Sequence, residues 1–125
     1  MFHHTKVAVG VLCLAMLAGC STTRHYAWHN YDTNLYRYYE HDLTAEGLLT
    51  ELLKAEADAT AQKKTLAPGI YADIGTMYLR LGKKVDAIRY YQKEADAWVE
   101  SKPLMETLIR NLQRQSTSEQ KGAQP

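Results

Sequence analysis

Two groups of side chains have the chemical types that metal binding or catalysis needs, and the first is a set of histidines. His25 and His29 are four residues apart, so they would share one face of a helix, and His41 follows further along. A zinc site needs a third and a fourth ligand at defined spacing, and neither an HExxH-type motif nor a cysteine supplies them. We therefore predict exposed histidines near the start of the folded domain and no metal site.

The second group is a set of carboxylates, Glu94, Asp96 and Glu100, near the end of a predicted helix. Two carboxylates can hydrolyse a glycosidic bond when one lies in an apolar pocket that raises its pKa. Lys93 and Lys102 lie nearby, so these side chains are predicted to form a solvated surface instead. The chain also lacks a serine or threonine nucleophile motif and a glycine-rich phosphate loop. We predict no catalytic residue, no enzyme activity and no small-molecule substrate.

Cys20 carries a different chemistry, because it follows a segment with the layout of an export signal. Residues 1–6 are polar with one positive charge, and residues 7–18 are apolar. This apolar run is shorter than the roughly 20 residues that a membrane-spanning helix needs. The motif "LAGC", Leu17–Cys20, resembles the bacterial lipobox, in which the cysteine is acylated and the chain is cleaved before it. The resemblance implies a signal peptide over residues 1–19, with diacylglycerol and acyl chains on the cysteine and no other cofactor.

Processing at this position would leave a mature chain without a free thiol. The other cysteine, Cys13, lies in the segment that would be removed, so disulfides, cysteine metal sites and cysteine catalysis are not expected. Two or more acyl chains hold a protein stably on a bilayer, and residues 20–25 would form the tether. Ser21 stands where an aspartate would favour inner-membrane retention in enteric-type bacteria, which favours the periplasmic leaflet of the outer membrane. The alternative is a cysteine that merely follows an ordinary signal sequence.

Composition places the mature chain in one structural class. Removal of residues 1–19 would leave 14 of the 15 basic side chains against 14 acidic ones, so the mature chain is formally neutral. A neutral chain is not expected to bind nucleic acid, which requires a basic surface that displaces counterions. Residues 26–112 are long enough for one small domain. Few glycines and prolines, many helix-forming residues and no strand-like alternation predict an all-α fold.

Apolar residues recur at helical spacing in five stretches separated by turn residues. Asp32 is the expected N-cap of the first, a short helix with Leu35, Tyr36 and Tyr39 on one face. The other stretches are about Thr44 to Lys64, Tyr71 to Leu79, Val85 to about Trp98, and Ser101 to about Leu112, followed by a predicted disordered tail over 113–125. The expected buried stripes are Leu48, Leu49, Leu52 and Leu53; Val85, Ile88, Tyr91, Ala95 and Trp98; and Leu104, Met105, Leu108, Ile109 and Leu112.

The third and fourth stretches resemble one tetratricopeptide repeat in the spacing of large and small residues. Gly75 and Ala87 are expected to let two antiparallel helices approach closely, while tyrosines fill the space around the crossing. Two residues differ from the usual repeat pattern: Glu94 stands where a small residue is usual, and Val99 stands where a proline is usual. One such hairpin cannot bury its apolar surface alone. The prediction is therefore a small helical bundle with one tetratricopeptide-like hairpin flanked by N- and C-terminal helices.

A closer resemblance covers nearly the whole domain, from Tyr26 to Leu112. The segments "LYRYY", "YADIGTMYLRLGKKVDAIRYYQKEADAW-ES" and "LMETLI" behind a lipobox are similar to a family of small Gram-negative lipoproteins of unassigned function. Genes of that family typically lie beside a lipoprotein that resembles the curli-secretion pore and a third small lipoprotein. A proline usually follows the tryptophan in that family, whereas Val99 follows Trp98 here. The resemblance implies an accessory role in an outer-membrane assembly or secretion complex, and no known reaction.

Two surfaces are candidates for binding a partner. Tyr36, Tyr38, Tyr39 and Tyr90 are not all expected to point inward, because adjacent helical residues diverge by about 100°. Some of them are expected to reach the surface, and those nearest the lipidated end would form an exposed docking patch. The alternative is that the N-terminal segment folds over the bundle and hides them. The outward side of the first hairpin helix would offer a groove lined by Ala72, Thr76, Leu79 and Arg80. This groove lacks the asparagine and lysine pairs that clamp a terminal carboxylate, so an apolar helix or strand is the expected ligand.

Three hypotheses for function follow. We expect a lipid-anchored, non-catalytic protein-binding accessory whose partner is another envelope lipoprotein or a subunit of a curli-pore-like secretion or envelope-assembly complex. The first alternative is a lipoprotein activator of a peptidoglycan synthase, which needs reach across the periplasm, whereas residues 20–25 span only about 20 Å when extended. The second alternative is a hydrolase of envelope polymers, which would depend on a carboxylate such as Glu94.

Overall fold

The computed structural model describes the backbone of residues 26–122 and the side chains of residues 26–116. Within this range the chain forms five α-helices and no strand, so the predicted all-α helical bundle is confirmed. The helices are α1 (Tyr31–Tyr39), α2 (Ala45–Ala61), α3 (Ile70–Arg80), α4 (Lys84–Ala97) and α5 (Lys102–Gly122).

The starts of the first two helices depend on different capping residues. Thr44 caps α2, because its hydroxyl oxygen accepts a hydrogen bond from the Gly47 N–H at 3.1 Å. The N-cap of α1 is Asn30, which has a left-handed backbone conformation with φ 51°. Asp32 therefore lies in the first turn instead of at the cap, where its carboxylate still interacts favourably with the helix dipole. The prediction of Asp32 as the N-cap was wrong by two positions.

The hairpin of α3 and α4 has the close approach that its small residues predict. A Cβ atom added to Gly75 would lie 2.8 Å from ring carbons of Tyr91 and 3.1 Å from the carbonyl oxygen of Ala87. Gly82, with φ 72°, lies in the turn that reverses the chain between the two helices. A larger residue at Gly75 would displace the Tyr91 ring or push the two helices apart.

Two apolar clusters lie on either side of this hairpin, and α4 contributes to both. The first cluster joins α2 to α3, and the second joins α4 to α5. The buried residues of the first are Leu48, Leu49, Leu52, Ala55, Ala59, Leu66, Ala67, Ile70, Ile74, Met77 and Tyr90; those of the second are Ala87, Tyr91, Ala95, Met105, Ile109 and Leu112. The flanking helices thus cover the hairpin, as one repeat-like unit requires.

Two residues of the predicted stripes lie on the surface. Val85 is 82% exposed and Leu104 is 60% exposed. The buried side of α4 passes through Ala87, Tyr91 and Ala95, and Val85 in the first turn lies out of phase with it. The buried side of α5 passes through Met105, Ile109 and Leu112, and Leu104 lies outside it, because adjacent helical residues diverge by about 100°. Both predictions of a core position were wrong, because each residue lies outside the buried side of its helix.

The last helix is longer than its apolar pattern. The sequence pattern ends at about Leu112, whereas the backbone remains helical up to Gly122. Residues 113–122 are polar but consist largely of good helix formers such as glutamine, arginine, glutamate and lysine. Helix propensity can extend a helix beyond the part that packs, and apolar periodicity does not detect such an extension.

The segment before α1 is attached to the loop between α2 and α3. The Ala27 N–H donates to the carbonyl oxygen of Thr65 at 3.1 Å, and Ala27 forms a single parallel bridge with Leu66. His29 lies 2.8 Å from the Asp58 carboxylate on α2 through its Nδ1 atom. These contacts fix the point at which the chain enters the domain.

Candidate functional site

Two tyrosines attach α1 to α3. The Tyr31 hydroxyl donates a hydrogen bond to the Asp73 carboxylate, and Nη1 of Arg80 donates to the Tyr38 hydroxyl oxygen at 2.8 Å. Tyr31 and Tyr38 are seven residues apart, as are Asp73 and Arg80. The two helices therefore run in the same direction, in contact over two turns.

Burial changes the pKa values of Tyr31 and Asp73. It raises the pKa of the Asp73 carboxyl, while the hydrogen bond from Tyr31 acts in the opposite direction. Burial also raises the pKa of Tyr31, and the hydrogen bond and charge of the Asp73 carboxylate add to that effect. Tyr31 consequently keeps its proton and remains a hydrogen-bond donor at neutral pH.

A surface pocket lies where α1 ends and the turn into α2 begins. Its volume is about 370 Å³. His41 in this turn has a left-handed backbone with φ 65°. The lining residues are Tyr38, Tyr39, His41, Leu43, Thr44 and Arg80. The pocket thus brings Tyr38 and Tyr39, at the end of α1, together with Arg80, the last residue of α3.

Arg80 provides the electrostatic character of this pocket. Its guanidinium carbon lies 5.7 Å from the centre of the Tyr38 ring, in addition to the hydrogen bond to the hydroxyl. Arg80 is exposed, and no carboxylate of residues 26–116 pairs with it. The arrangement can therefore bind an anionic group while Tyr38 holds the guanidinium in place.

The three tyrosines of the proposed docking patch have different environments. Tyr36 is 65% exposed and Tyr39 is 68% exposed, whereas Tyr38 is half-buried. The predicted face of Leu35, Tyr36 and Tyr39 is not a buried face, because α1 packs through Tyr31, Leu35 and Tyr38, with Asn34 also buried. Tyr38 thus packs on the bundle, whereas Tyr36 and Tyr39 of the same helix are exposed.

Three of the four predicted groove residues of α3 lie away from the tyrosines of α1. Ala72 and Leu79 are half-buried and pack against the second apolar cluster, which α4 and α5 form. The Thr76 hydroxyl donates to the Ala72 carbonyl oxygen at 2.9 Å and lies 3.1 Å from the Tyr91 hydroxyl. Of the four groove candidates, Arg80 is the one that the structure places beside the tyrosines.

Glu94 is buried at the end of α4, contrary to the prediction from its charged neighbours in the sequence. It is 0% exposed, although a solvated surface was predicted. Its Oε1 accepts a hydrogen bond from the Gly69 N–H at the start of α3 and another from the Ser101 hydroxyl just before α5, both at 2.8 Å. Glu94 therefore connects the starts of two helices to the end of α4. The available signal was a glutamate at a position where the repeat pattern has a small residue.

A second polar cluster, which is half-buried, joins α2 to α4. Glu56 accepts a hydrogen bond from the Tyr90 hydroxyl at 2.8 Å and one from Lys93 Nζ at 2.6 Å. The Lys93 ammonium also lies 4.5 Å from the centre of the Tyr90 ring. Burial and the neighbouring Glu56 carboxylate raise the pKa of Tyr90. All three side chains interact with one another, and we interpret this cluster as a structural link between α2 and α4.

Two further findings concern metals and membranes. Among residues 26–116, no group of three or more histidine, cysteine or acidic side chains is placed to hold a metal ion. Within the described part of the chain, no helix has the length and hydropathy needed to cross a membrane. The lipobox with Cys20, the tether over 20–25 and the first histidine of the predicted set, His25, lie outside the described residues.

Comparison with known proteins places the chain in one family. A family model described as "Domain of unknown function (DUF4810)" matches residues 25–108. No curated protein and no solved structure matches the chain. Because the matched segment covers more than half of the sequence, the chain belongs to the DUF4810 family.

Proposed function

We propose that this member of the DUF4810 family is a lipid-anchored lipoprotein of the outer membrane that binds a partner protein without catalysing a reaction. Its partner is another envelope lipoprotein or a subunit of a curli-pore-like secretion or envelope-assembly complex. The single observation that supports this proposal best is the exposure of Tyr36 and Tyr39 on a short helix that is tied to the bundle.

Tyrosine at an exposed position favours protein binding for a physical reason. A tyrosine ring provides a large contact area, and it has few rotatable bonds to immobilise on binding. Tyr36 and Tyr39 are three residues apart on α1, so they present their rings on one side of the helix. The contacts of Tyr31 and Tyr38 with α3 hold that side in position before any partner arrives, which reduces the entropic cost of binding.

The proposed anchor would keep this docking surface close to the bilayer. Acyl chains on Cys20 would lie seven residues before Ala27, which is attached to the loop between α2 and α3. Seven residues extend to at most about 25 Å. A partner on the same membrane is therefore within reach, whereas a partner at the far side of the periplasm is not.

Site-specific photo-cross-linking in intact cells tests the docking surface. A cross-linking amino acid at Tyr36 or Tyr39 is expected to capture one envelope lipoprotein or pore subunit, identified by mass spectrometry. The matched control places the same amino acid at Arg110, an exposed residue on α5, and should not capture that protein. Equal capture at all three positions, or no protein capture at Tyr36 and Tyr39, would contradict the proposal.

The anchor is tested separately. The processed protein should carry acyl chains on its N-terminal cysteine by mass spectrometry, and the Cys20→Ala variant should leave the membrane fraction. A bare thiol on a soluble wild-type protein would exclude the lipid anchor without excluding a docking surface.

A further inference from the structure

The pocket at the end of α1 combines one guanidinium with aromatic and apolar walls. Of the six described residues that line it, Arg80 alone carries a permanent charge, and none is acidic. Tyr39 and Leu43 contribute aromatic and aliphatic surface next to this charge. Such a site suits a ligand that carries one negative group beside an apolar one.

Arg80 has donors available for a ligand. A guanidinium has five N–H donors in a planar fork, and one hydrogen bond, to Tyr38, is found among the described residues. The fork matches the geometry of a carboxylate, which it can bind through two parallel hydrogen bonds. Tyr38 restricts the position of the guanidinium through the hydrogen bond and the ring contact, so the fork is oriented before binding.

The acidic residues near the pocket limit the number of charges that the ligand can carry. Glu40 and Asp42 are exposed in the same turn, although neither lines the pocket. Their carboxylates repel a run of acidic residues but leave room for a single one that reaches Arg80. The local charges therefore favour one carboxylate with an apolar neighbour over a polyacidic segment.

We propose that this pocket binds an internal segment of a partner protein that presents one side-chain carboxylate next to an aromatic or aliphatic residue. The carboxylate pairs with Arg80, and the apolar side chain packs against Tyr39 and Leu43. The pocket lies at the end of α1 and the turn after it, and the partner segment would pass over it as a continuous chain. This inference rests on the proposed function, since it specifies the chemistry of the segment that the docking surface receives.

A peptide-binding assay tests the proposal. The probe is a fluorescein-labelled, C-terminally amidated peptide with one glutamate between leucine and phenylalanine, and its anisotropy is followed as full-length protein in detergent is added. Replacing the glutamate by glutamine should weaken binding at least ~10-fold, because a charge-assisted hydrogen bond contributes that much. A glutamine peptide with a free C-terminus should bind as weakly as the amidated one. Tighter binding of that peptide would mean that the pocket reads chain ends instead.

Protein variants locate the binding on the pocket. Arg80→Gln should weaken binding of the glutamate peptide at least ~10-fold, and Arg80→Lys should restore only part of it, because lysine keeps the charge but not the fork. Arg110→Gln is the matched control, since it removes an exposed arginine that contacts Thr107 and Glu106 on α5. If Arg80→Gln fails to fold, Tyr39→Ala removes one exposed wall of the pocket and should still weaken binding several-fold.

Four results would overturn the proposal: tighter binding of the glutamine peptide with a free C-terminus, no binding of either amidated peptide, equal binding of both, or equal losses for the Arg80 and Arg110 variants. These failures are distinguishable from failure of the proposed function. Specific cross-links at Tyr36 without peptide binding would retain the docking surface and remove its assigned ligand chemistry. Peptide binding without specific cross-links would retain the pocket and remove the assigned complex.

Discussion

Replacement of Glu94 by alanine is expected to destabilise the bundle far more than a surface glutamate would. Glu94 is completely buried, and its Oε1 atom accepts hydrogen bonds from Gly69 and Ser101. A hydrogen bond to a charged group contributes about 1.5–3 kcal/mol. The variant would lose both hydrogen bonds and leave two donors at helix starts without this acceptor. Removal of a buried charge offsets part of that loss, since Oε2 of Glu94 has no partner among the described residues.

The net expectation is a loss of about 3 kcal/mol in the free energy of unfolding for Glu94→Ala. Glu94→Gln retains an oxygen that can accept both hydrogen bonds and removes the buried charge, so it should cost about 1 kcal/mol. The contrast between these two variants separates hydrogen bonding from charge. A purely electrostatic role would make them equally harmful.

Urea unfolding followed by circular dichroism measures these differences through linear extrapolation. Glu106→Ala is the matched control on α5, because its carboxylate is 45% exposed and its ion pairs with Lys102 and Arg110 are long, at 4.0 and 3.9 Å. The control should change stability by no more than about 0.5 kcal/mol. The reasoning fails if Glu94→Ala lies within about 1 kcal/mol of wild type, or if Glu94→Gln is as damaging as alanine.

Two further predictions concern the hairpin and the buried tyrosines. Gly75→Ala should lower the free energy of unfolding by about 1–3 kcal/mol in the same assay, because the added Cβ would lie 2.8 Å from ring atoms of the facing helix; an unchanged midpoint would show that the helices can separate without cost. Burial raises the pKa values of Tyr31 and Tyr90 above about 10, so the folded state keeps protons that the unfolded state releases. Stability should therefore fall as the pH rises above about 10, and Tyr31→Phe and Tyr90→Phe should each reduce that dependence; equal slopes in wild type and variants would refute this.

Local sequence patterns were sufficient for the class of fold and for its central hairpin. Helical periodicity and turn residues identify all five helices, because each element buries a side through residues close in sequence. The crossing at Gly75 and Ala87 was also predictable, since close packing of two helices requires small residues at one defined spacing. These features depend on neighbours within one hairpin.

Features that depend on distant partners were not predictable from the same patterns. Tyr31 and Tyr38 contact residues that lie 42 positions away, so periodicity alone could not show which tyrosine faces α3. Glu94 looked like a solvated residue at a helix end, because its partners come from two separate loops. Val85 was predicted to be buried because it is apolar, but it is 82% exposed. An apolar residue in the first turn of a helix does not show by itself which side of the helix packs.

The short first helix shows why the candidate site depends on these distant contacts. With nine residues, α1 is too short to be stable alone in water, where isolated helices need about 12–15 residues. Its contacts with α2 and α3 must therefore supply much of its stability, and Arg80 provides one of them. A ligand carboxylate that binds the free N–H groups of Arg80 leaves the hydrogen bond to Tyr38 intact, because the guanidinium has donors for both. Binding of an acidic segment would then stabilise α1, whereas a ligand that displaced Tyr38 would release the helix and its exposed tyrosines from the bundle.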